Sequence, residues 1–262
     1  MDATPSRTRI AGVTPALLDD LADRGWPAVQ RTEVDGWSLR FSSGVTNRAN
    51  SALPSQPVPD IGATVDAVER EYARRDLPAV FQVSEATPAG VAEHLIARGY
   101  AQHSATGIMV AAIDDVLAAG TTPAPALWKS PRVDVSDAPD DAWLDLWWSV
   151  DGRGDDAAKS VAREILTGGP ALYAAVPAPG TPEAVARLAL VGEWGGLFAV
   201  ATHPLARRRG RARAAILALA SAAQSYGIGK LWLQVMADNT AAIRLYDGLG
   251  FERASSYVYF TR

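Results

Sequence analysis

Two stretches of this 262-residue chain follow the same order of sequence pattern, about 150 positions apart. The segment PAVFQVSEA, which contains Gln82, aligns with KLWLQVMAD, which contains Gln234, at a shift of 152 residues. After a one-residue gap, HLIARGY aligns with LYDGLGF at a shift of 151. In both copies an apolar strand pattern precedes a turn, a helix pattern, a glycine, an aromatic residue and a final strand pattern. The repetition predicts two copies of one fold.

The stretch that separates the two copies has a weak pattern and is rich in proline. Asp114–Arg132 holds three of the 17 prolines together with Gly and Thr, which is typical of a linker. We therefore predict a first domain over residues 1–115, a linker over 116–130 and a second domain over 131–262. Strands alternate with helices in both domains, which predicts an α/β fold with a mixed sheet. The predicted strands are Trp37–Phe41, Ala79–Val83, Thr106–Ile113, Ala171–Val176, Ala186–Val191, Leu197–Thr202, Leu231–Val235 and Tyr257–Phe260, and the predicted helices are Ile61–Arg75, Val91–Arg98, Asp140–Val150, Lys159–Leu166, Arg211–Tyr226 and Thr240–Gly248.

Composition excludes several classes of function. The chain has no cysteine, and its three histidines (His94, His103 and His203) are widely scattered, so we expect no metal site. The formal net charge of −4 argues against a general binder of nucleic acid. The uncharged stretch Ala214–Gly229 has 16 residues, whereas a membrane span needs about 20 apolar residues. With 22 arginines, 3 lysines and no apolar leader pattern, the sequence indicates a cytoplasmic protein from a bacterium with a GC-rich genome.

The segment with most chemical information is LFAVATHPLARRRGRAR, which runs from Leu197 to Arg213. An apolar strand pattern leads through an arginine-rich loop into a helix pattern, and helix starts present unpaired N–H groups with a partial positive charge. Gly210 allows a ligand to approach the backbone closely. Diphosphate is the natural ligand for such an arrangement, and a solvated basic turn is the alternative that these residues leave open. The arginines around the glycine are Arg207, Arg208, Arg209, Arg211 and Arg213.

Together with the residues that follow it, this segment resembles motif A of the GNAT family (Gcn5-related N-acetyltransferases), whose pattern is Gln/Arg-x-x-Gly-x-Gly/Ala. The pattern stands here as RRRGRA, residues 207–212, and LQVMADNTAAIRLYDGLGF resembles the family's motif B. The two motifs cover about 65 residues, and a weaker resemblance extends over residues 131–262. The resemblance implies tandem GNAT folds, each a mixed, mostly antiparallel sheet flanked by helices. It also implies an acyl-CoA-dependent N-acetyltransferase whose acyl donor is acetyl-CoA.

The family's functional residues carry over to matching positions of this chain. Asn239 would reach the pantetheine arm of CoA, although asparagine also favours helix N-caps in any protein. Tyr246 lies about two helical turns after Asn239 on the same face. It would protonate the departing CoA thiolate, and packing against the sheet is its alternative role. The remaining residues that the resemblance assigns to CoA are Val200, Ala201 and Thr202 for the pantetheine arm, and Arg208, Arg209, Gly210, Arg211, Ala212 and Arg213 for the diphosphate.

The sequence departs from the family pattern at the general base. Gln234 stands where some relatives carry a glutamate, and an amide cannot take a proton. The strand segment Leu197–Thr202, where other relatives carry a glutamate, has no carboxylate. Glu193 in the preceding turn is the nearest candidate for the base, and a simple turn residue is the alternative. Ordered water or an acceptor amine that arrives neutral would also serve. The loop in which relatives bind the acceptor carries Asp151, Asp155 and Asp156.

The first copy lacks the corresponding functional residues. Pro88 aligns with Asn239, and Leu95 aligns with Tyr246. Residues 55–60, SQPVPD, stand where the arginine-rich loop would be and contain neither glycine nor arginine. Because proline removes N–H donors that a phosphate site needs, we expect the first domain to be a degenerate GNAT-like fold without a CoA site. Its expected role is to pack against the second domain and shape the acceptor cleft.

Two functions therefore stand side by side at this point. The first is an N-acetyltransferase that acts on an unidentified amine by direct attack. The alternative is a protein that binds or senses acyl-CoA without catalysis, because both usual base positions lack a carboxylate. We expect no nucleic-acid partner and no membrane association, and we expect a monomer because a fused pair of domains can replace a dimer.

Overall fold

The computed structural model describes residues 10–121 and 131–262. In these ranges the helices are α1 (Pro15–Gly25), α2 (Ile61–Ala73), α3 (Val91–Ala97), α4 (Ile113–Gly120), α5 (Asp141–Asp151), α6 (Asp156–Thr167), α7 (Arg211–Ala223) and α8 (Thr240–Asp247). The strands are β1 (Gln30–Val34), β2 (Trp37–Phe41), β3 (Ala52–Leu53), β4 (Phe81–Ser84), β5 (Ala101–Ala112), β6 (Asp134–Ser136), β7 (Ala171–Val176), β8 (Ala184–Val191), β9 (Trp194–Thr202), β10 (Lys230–Met236) and β11 (Glu252–Thr261).

The described residues form two compact units whose chain segments interleave. The N-terminal unit contains residues 14–108, 153–169 and 254–262. The C-terminal unit contains residues 10–13, 109–121, 131–152 and 170–253. Helix α6 and most of strand β11 therefore belong to the N-terminal unit, although they come from the second half of the sequence.

The N-terminal unit is built on a sheet with the strand order β1-β2-β3-β4-β11-β5. The pairs β1–β2, β2–β3 and β4–β11 are antiparallel, and β3–β4 is parallel. Alternation along β2 turns Trp37, Leu39 and Phe41 to one face, where they pack with Val68 of α2 and Leu95 of α3. Full burial of an apolar side chain of this size stabilises a fold by about 1.5–3 kcal/mol, so this layer is the core of the unit.

The opposite face of the same sheet is polar but buried. Arg40 is 1% exposed and donates hydrogen bonds to the Ser51 carbonyl at 2.9 Å and to Gln82 Oε1 at 2.9 Å. Helix α1 contributes Asp19, whose carboxylate accepts a hydrogen bond from Ser84 Oγ at 2.5 Å. Burial raises the pKa of Asp19 to about 6. A charged layer of this kind persists only where its members are hydrogen-bonded.

The C-terminal unit is built on a sheet with the strand order β5-β10-β9-β8-β7-β6. The strands from β6 to β9 pair antiparallel, whereas β9 and β10 are parallel. Leu231 and Leu233 of β10 share a core with Ala215, Leu219 and Ala223 of α7. Beyond Arg213, α7 has no charged residue, and its small side chains let the helix lie directly on the sheet.

The mixed, mostly antiparallel sheet flanked by helices confirms the predicted fold class. The bounds predicted for β2 and β7 match those observed. Sequence analysis predicts no helix at α1, yet Thr14 caps it by accepting a hydrogen bond from the Leu17 N–H at 3.2 Å. It also places residues 116–120 in the linker and Ile113 at the end of a strand, but both Ile113 and Val116 lie on α4 and are buried against the core of the C-terminal unit. The rest of the predicted linker, residues 122–130, lies outside the described residues.

Candidate active site

Strands β9 and β10 pair over only part of their length. Their parallel register ends at Leu197 and Leu233, although both strands continue beyond these residues. On its other edge β9 carries a bulge at Ala199, where φ is +51° and the register with β8 shifts. A bulge bends its strand and increases the local twist. The edge of β9 that starts next to β10 is therefore left unpaired with that strand over residues 198–202.

The unpaired edge contains the three residues that the sequence assigns to the pantetheine arm. Ala201 is buried, and Val200 and Thr202 are half-buried. Their backbone N–H and C=O groups lie on a strand edge, and such an edge binds an extended chain through main-chain hydrogen bonds. The position of these residues follows from the bulge, since it directs the end of β9 away from β10.

The loop that leads from β9 into α7 has two residues in the left-handed conformation. Arg208 and Gly210 have φ angles of +57° and +70°. Gly210 occupies the N-cap position, so no side chain accepts a hydrogen bond from the first turn of α7. The N–H groups of residues 211–213 therefore emerge from the positive end of the helix. Such an arrangement binds phosphate groups well.

An acidic residue fixes two of the arginines at this helix start. Glu183 lies just before β8, and its carboxylate pairs with Arg209 at 3.4 Å and with Arg211 at 2.5 Å. The pairing holds the loop against the sheet and neutralises one of the positive charges. Sequence reasoning missed Glu183, because nothing in its own segment links it to a loop more than twenty residues later.

The other arginines leave the helix start strongly positive. Arg213 donates a hydrogen bond to the carbonyl of Ala119 at 2.6 Å, which ties the first turn of α7 to the end of α4. Arg207 and Arg208 are exposed, and within the described residues neither forms an ion pair. These two guanidinium groups are thus available for an anionic ligand, since arginine matches phosphate oxygens with two donors at once.

Helix α8 carries the remaining predicted CoA and catalytic residues. Asn239 is its N-cap, and its Oδ1 accepts a hydrogen bond from the Ala242 N–H at 3.1 Å. Tyr246 is 7% exposed and packs edge-on against Phe251 at a ring distance of 5.9 Å. Burial raises the pKa of Tyr246 to about 12, so the hydroxyl keeps its proton at neutral pH. Tyr246 can therefore donate a proton but cannot act as a base.

The structure separates Glu193 from these residues. Its carboxylate pairs with Lys230 Nζ at 2.7 Å, and 62% of its side chain is exposed. Both residues lie where β9 and β10 start, whereas the loop into α7 follows the end of β9. From Trp194 to Thr202, β9 spans about 26 Å at roughly 3.3 Å per step between residues. This placement gives Glu193 the role of a turn residue in a surface ion pair.

The three aspartates of the predicted acceptor loop lie at the end of α5 and the start of α6. Asp151 is the last residue of α5, and Asp156 is the first residue of α6. Between them, Asp155 caps α6, because its Oδ1 accepts a hydrogen bond from the Ala158 N–H at 3.0 Å. The capping role of Asp155 is the structural function that aspartate commonly serves at this position.

Arg187 is the one buried charged side chain among the described residues of the C-terminal unit. It lies 5.8 Å from the ring centre of Phe198 and 6.0 Å from that of Tyr173. Burial lowers the pKa of Arg187.

The described part of the chain holds no cluster of three metal-ligating side chains. Nor do these ranges include a helix that is long and apolar enough to cross a membrane.

Comparison with known proteins gives consistent matches along almost the whole chain. The family described as "Probable histone acetyltransferase Rv0428c C-terminal" matches residues 17–260. The chain is 25% identical to the "Uncharacterized N-acetyltransferase YobR" of Bacillus subtilis over 92% of this chain and 96% of that protein. Its fold is similar to that of a GCN5-related N-acetyltransferase from Kribbella flavida, with a TM-score of 0.68, 18% identity and 96% of each chain covered. It is also similar to a tandem GNAT protein from the clavulanic acid biosynthesis pathway, with a TM-score of 0.64, 18% identity, and 98% of this chain and 90% of that chain covered.

Proposed function

The chain belongs to the family described as the C-terminal region of Rv0428c, an N-acetyltransferase family with the GNAT fold, and on that premise we propose that it transfers an acetyl group from acetyl-CoA to an amine. The amine attacks the thioester carbonyl directly, without an acyl-enzyme. One observation carries the proposal: the unpaired edge of β9 leads, through an eight-residue loop that holds three arginines and Gly210, into the uncapped start of α7. A donor with an extended amide-bearing arm and a diphosphate matches both parts.

Donor binding uses the backbone more than the side chains. The backbone groups of Val200, Ala201 and Thr202 pair with the amides of the pantetheine arm as a further strand would. The N–H groups of residues 211–213 and the guanidinium groups of Arg207 and Arg208 bind the diphosphate. Arg209, Arg211 and Arg213 hold the loop in place through their contacts with the protein.

Catalysis in this proposal relies on Tyr246. As the amine forms its bond to the carbonyl carbon and the C–S bond breaks, negative charge develops on sulfur. The Tyr246 hydroxyl donates its hydrogen to that sulfur and stabilises the charge. Asn239 caps α8 through its Oδ1, and the N–H groups of its exposed side chain are proposed to reach the pantetheine arm.

The N-terminal unit is proposed to be a GNAT-like fold without a donor site. Helix α2 begins at Asp60, whose carboxylate accepts a hydrogen bond from the Ala63 N–H at 3.0 Å. The side chain thus occupies one of the N–H groups that a phosphate would need and adds a negative charge there. Leu95, which the sequence aligns with Tyr246, is 0% exposed and belongs to the core.

Calorimetric titration with acetyl-CoA tests the proposal. Micromolar binding corresponds to about −8 kcal/mol, and Gly210→Glu is expected to weaken it at least 100-fold by placing a carboxylate in the phosphate site. Gly227→Glu is the matched control, because Gly227 also has a positive φ (+76°) but lies beyond the other end of α7, with open space around it. No binding by the native protein, or equal loss in both variants, contradicts the proposal. Binding without turnover over a broad panel of amines would instead favour the non-catalytic acyl-CoA-binding protein.

A further inference from the structure

Gln234 lies on β10 one residue beyond the last pair with β9, and its side-chain amide has no partner within the described structure. Both Oε1 and Nε2 are buried. Buried polar atoms in native proteins are almost always hydrogen-bonded, so an amide that is buried and unpaired at both atoms needs a partner from outside the protein. Gln234 therefore presents one acceptor and two donor hydrogens at the point where the two strands separate.

The surroundings of Gln234 form an aromatic surface on one face of the sheet. Side chains alternate along a strand, so Gln234 shares a face with Trp232 and not with Leu231 or Leu233. Trp232 packs edge-on against Phe198 at a ring distance of 6.1 Å, and its Nε1 is also buried without a partner. Unused hydrogen-bonding groups thus occur twice on this face, next to the edge of β9 on which the proposed function places the thioester arm.

No side chain described on this face can serve as a general base. Gln234 cannot take a proton, β9 has no carboxylate, and no carboxylate is buried in the described part of the C-terminal unit. The buried charge on this face is the cation Arg187, which disfavours a second cation nearby. An acceptor amine must therefore arrive without its proton.

Amines differ greatly in how often they are neutral. A chain α-amino group has a pKa of about 7.7–8.0, whereas a lysine side chain has a pKa of about 10.4. At pH 7.4 about a quarter of α-amines are neutral, but only about one lysine side chain in a thousand is. A site without a base therefore uses α-amines far more readily than lysine side chains.

Resting on the proposed function, we infer that the acceptor is an α-amine with a carbonyl group beside it, as at the N-terminus of a peptide, and that Gln234 is the residue that positions it. Gln234 Oε1 accepts a hydrogen bond from the amine N–H, and Nε2 donates one to the adjacent carbonyl. The nitrogen lone pair then attacks the thioester carbon. The C–S bond breaks, sulfur receives the Tyr246 proton, the proton released from nitrogen leaves to solvent, and solvent returns a proton to Tyr246.

Two peptides of one sequence test the acceptor class. The first has a free α-amine and an acetylated lysine, and the second has an acetylated N-terminus and a free lysine. At pH 7.4 we expect kcat/KM with acetyl-CoA to be about 100-fold higher for the first peptide. Its pH profile should rise up to the pKa of the acceptor amine itself, and the break should move when an acceptor with a different amine pKa is used. Equal use of the lysine peptide, or a break that does not move, overturns the inference.

Variants of Gln234 test its role as a positioning residue. Gln234→Ala is expected to raise KM for the α-amine peptide at least tenfold and to leave the Kd of acetyl-CoA unchanged. The matched control is Gln224→Ala, since Gln224 donates to Asp114 on the surface after α7. Gln234→Glu retains the shape and adds a base, so it should increase kcat/KM for the lysine peptide at least tenfold. A Gln234→Ala enzyme with native KM and kcat, or a Gln234→Glu enzyme without that gain, contradicts the assigned role.

Acetyl-CoA titrations on the same preparations separate this inference from the proposed function. If acetyl-CoA does not bind, the proposed function fails and the inference fails with it. If acetyl-CoA binds and only lysine peptides are acetylated, the proposed function stands and the inference alone is overturned.

Discussion

Helices α2 and α7 start in opposite ways, and the difference distinguishes a helix start that a side chain caps from one that has no such cap. Helix α2 starts at Asp60, whose carboxylate caps the first turn, and the loop before it contains Pro57 and Pro59. Helix α7 starts at Gly210, which offers no capping side chain, and the loop before it is rich in arginine. Both helices need partners for the N–H groups of their first turn. In α2 the protein supplies one such partner itself, whereas α7 has no capping side chain, and the proposed function places an anion there.

Helices α3 and α8, which the sequence alignment matches to each other, show a similar contrast. Helix α8 has Asn239 at its cap and Tyr246 two turns later, whereas the aligned positions of the N-terminal unit hold Pro88 and Leu95. Gly90 starts α3, with no side-chain cap. The N-terminal unit thus uses these positions for its backbone turn and its core, and the C-terminal unit keeps polar groups there.

The largest expected effect tests the contrast between Tyr246 and Leu95, the residue that aligns with it in the N-terminal unit. Tyr246→Phe removes only the hydroxyl, so we expect kcat to fall by about 10²–10⁴, the usual range for a general acid, with little change in the Kd of acetyl-CoA. Steady-state kinetics and calorimetry measure the two quantities. Tyr226→Phe is the control, because Tyr226 is 57% exposed in the turn after α7. A kcat within twofold of the native value would remove Tyr246 from the mechanism.

A smaller effect is expected on stability, and it concerns an acidic side chain that the N-terminal unit buries. The N-terminal unit buries Asp19, and its pKa rises through burial from 3.8 to about 6, so the folded state holds this proton more tightly than the unfolded chain does. Stability from this group is complete below about pH 4 and is lost as the pH rises through about 6. Asparagine does not ionise, so Asp19→Asn should abolish this destabilisation at high pH. The free energy of unfolding at pH 8 should then rise by at most about 3 kcal/mol.

Urea unfolding at pH 4.5 and pH 8 measures this change. Asp20→Asn is the control, since Asp20 is an exposed neighbour on α1 that pairs with Arg24 at 3.2 Å. If Asp19→Asn destabilises the protein equally at both pH values, the hydrogen bond from Ser84 outweighs the burial of the charge, and the expected sign is wrong.

The smallest expected effect concerns Asp60, which distinguishes the start of α2 from that of α7. Asp60→Ala removes the cap and should lower the free energy of unfolding by about 1 kcal/mol. The affinity for acetyl-CoA should stay unchanged, because this helix start is proposed to hold no donor. Thermal unfolding and calorimetry give the two values. An altered acetyl-CoA affinity would show that the N-terminal unit takes part in donor binding.

Sequence reasoning located the elements of the fold better than the details of the site. Alternating apolar residues give the bounds of β2 and β7 correctly, because each strand has one clear pattern and a turn on either side. The sequence has no comparable signal for the bulge at Ala199, since alanine rarely adopts a positive φ and nothing in the neighbouring residues requires it. Helix α4 was hidden because only two of its residues, Ile113 and Val116, are buried and a proline-rich stretch follows. The partners of Glu183 depend on tertiary contacts that no local pattern encodes.

The interleaved segments of the two units have a consequence for how the chain is made. Ser84 of β4 lies directly opposite Tyr257 of β11, although 173 positions separate them in the sequence. During synthesis, β4 therefore leaves the ribosome long before its strand neighbour exists, and until then it offers an open edge to other chains. A chain cut after residue 115 would keep that edge for good, so we expect it to aggregate instead of forming an isolated domain.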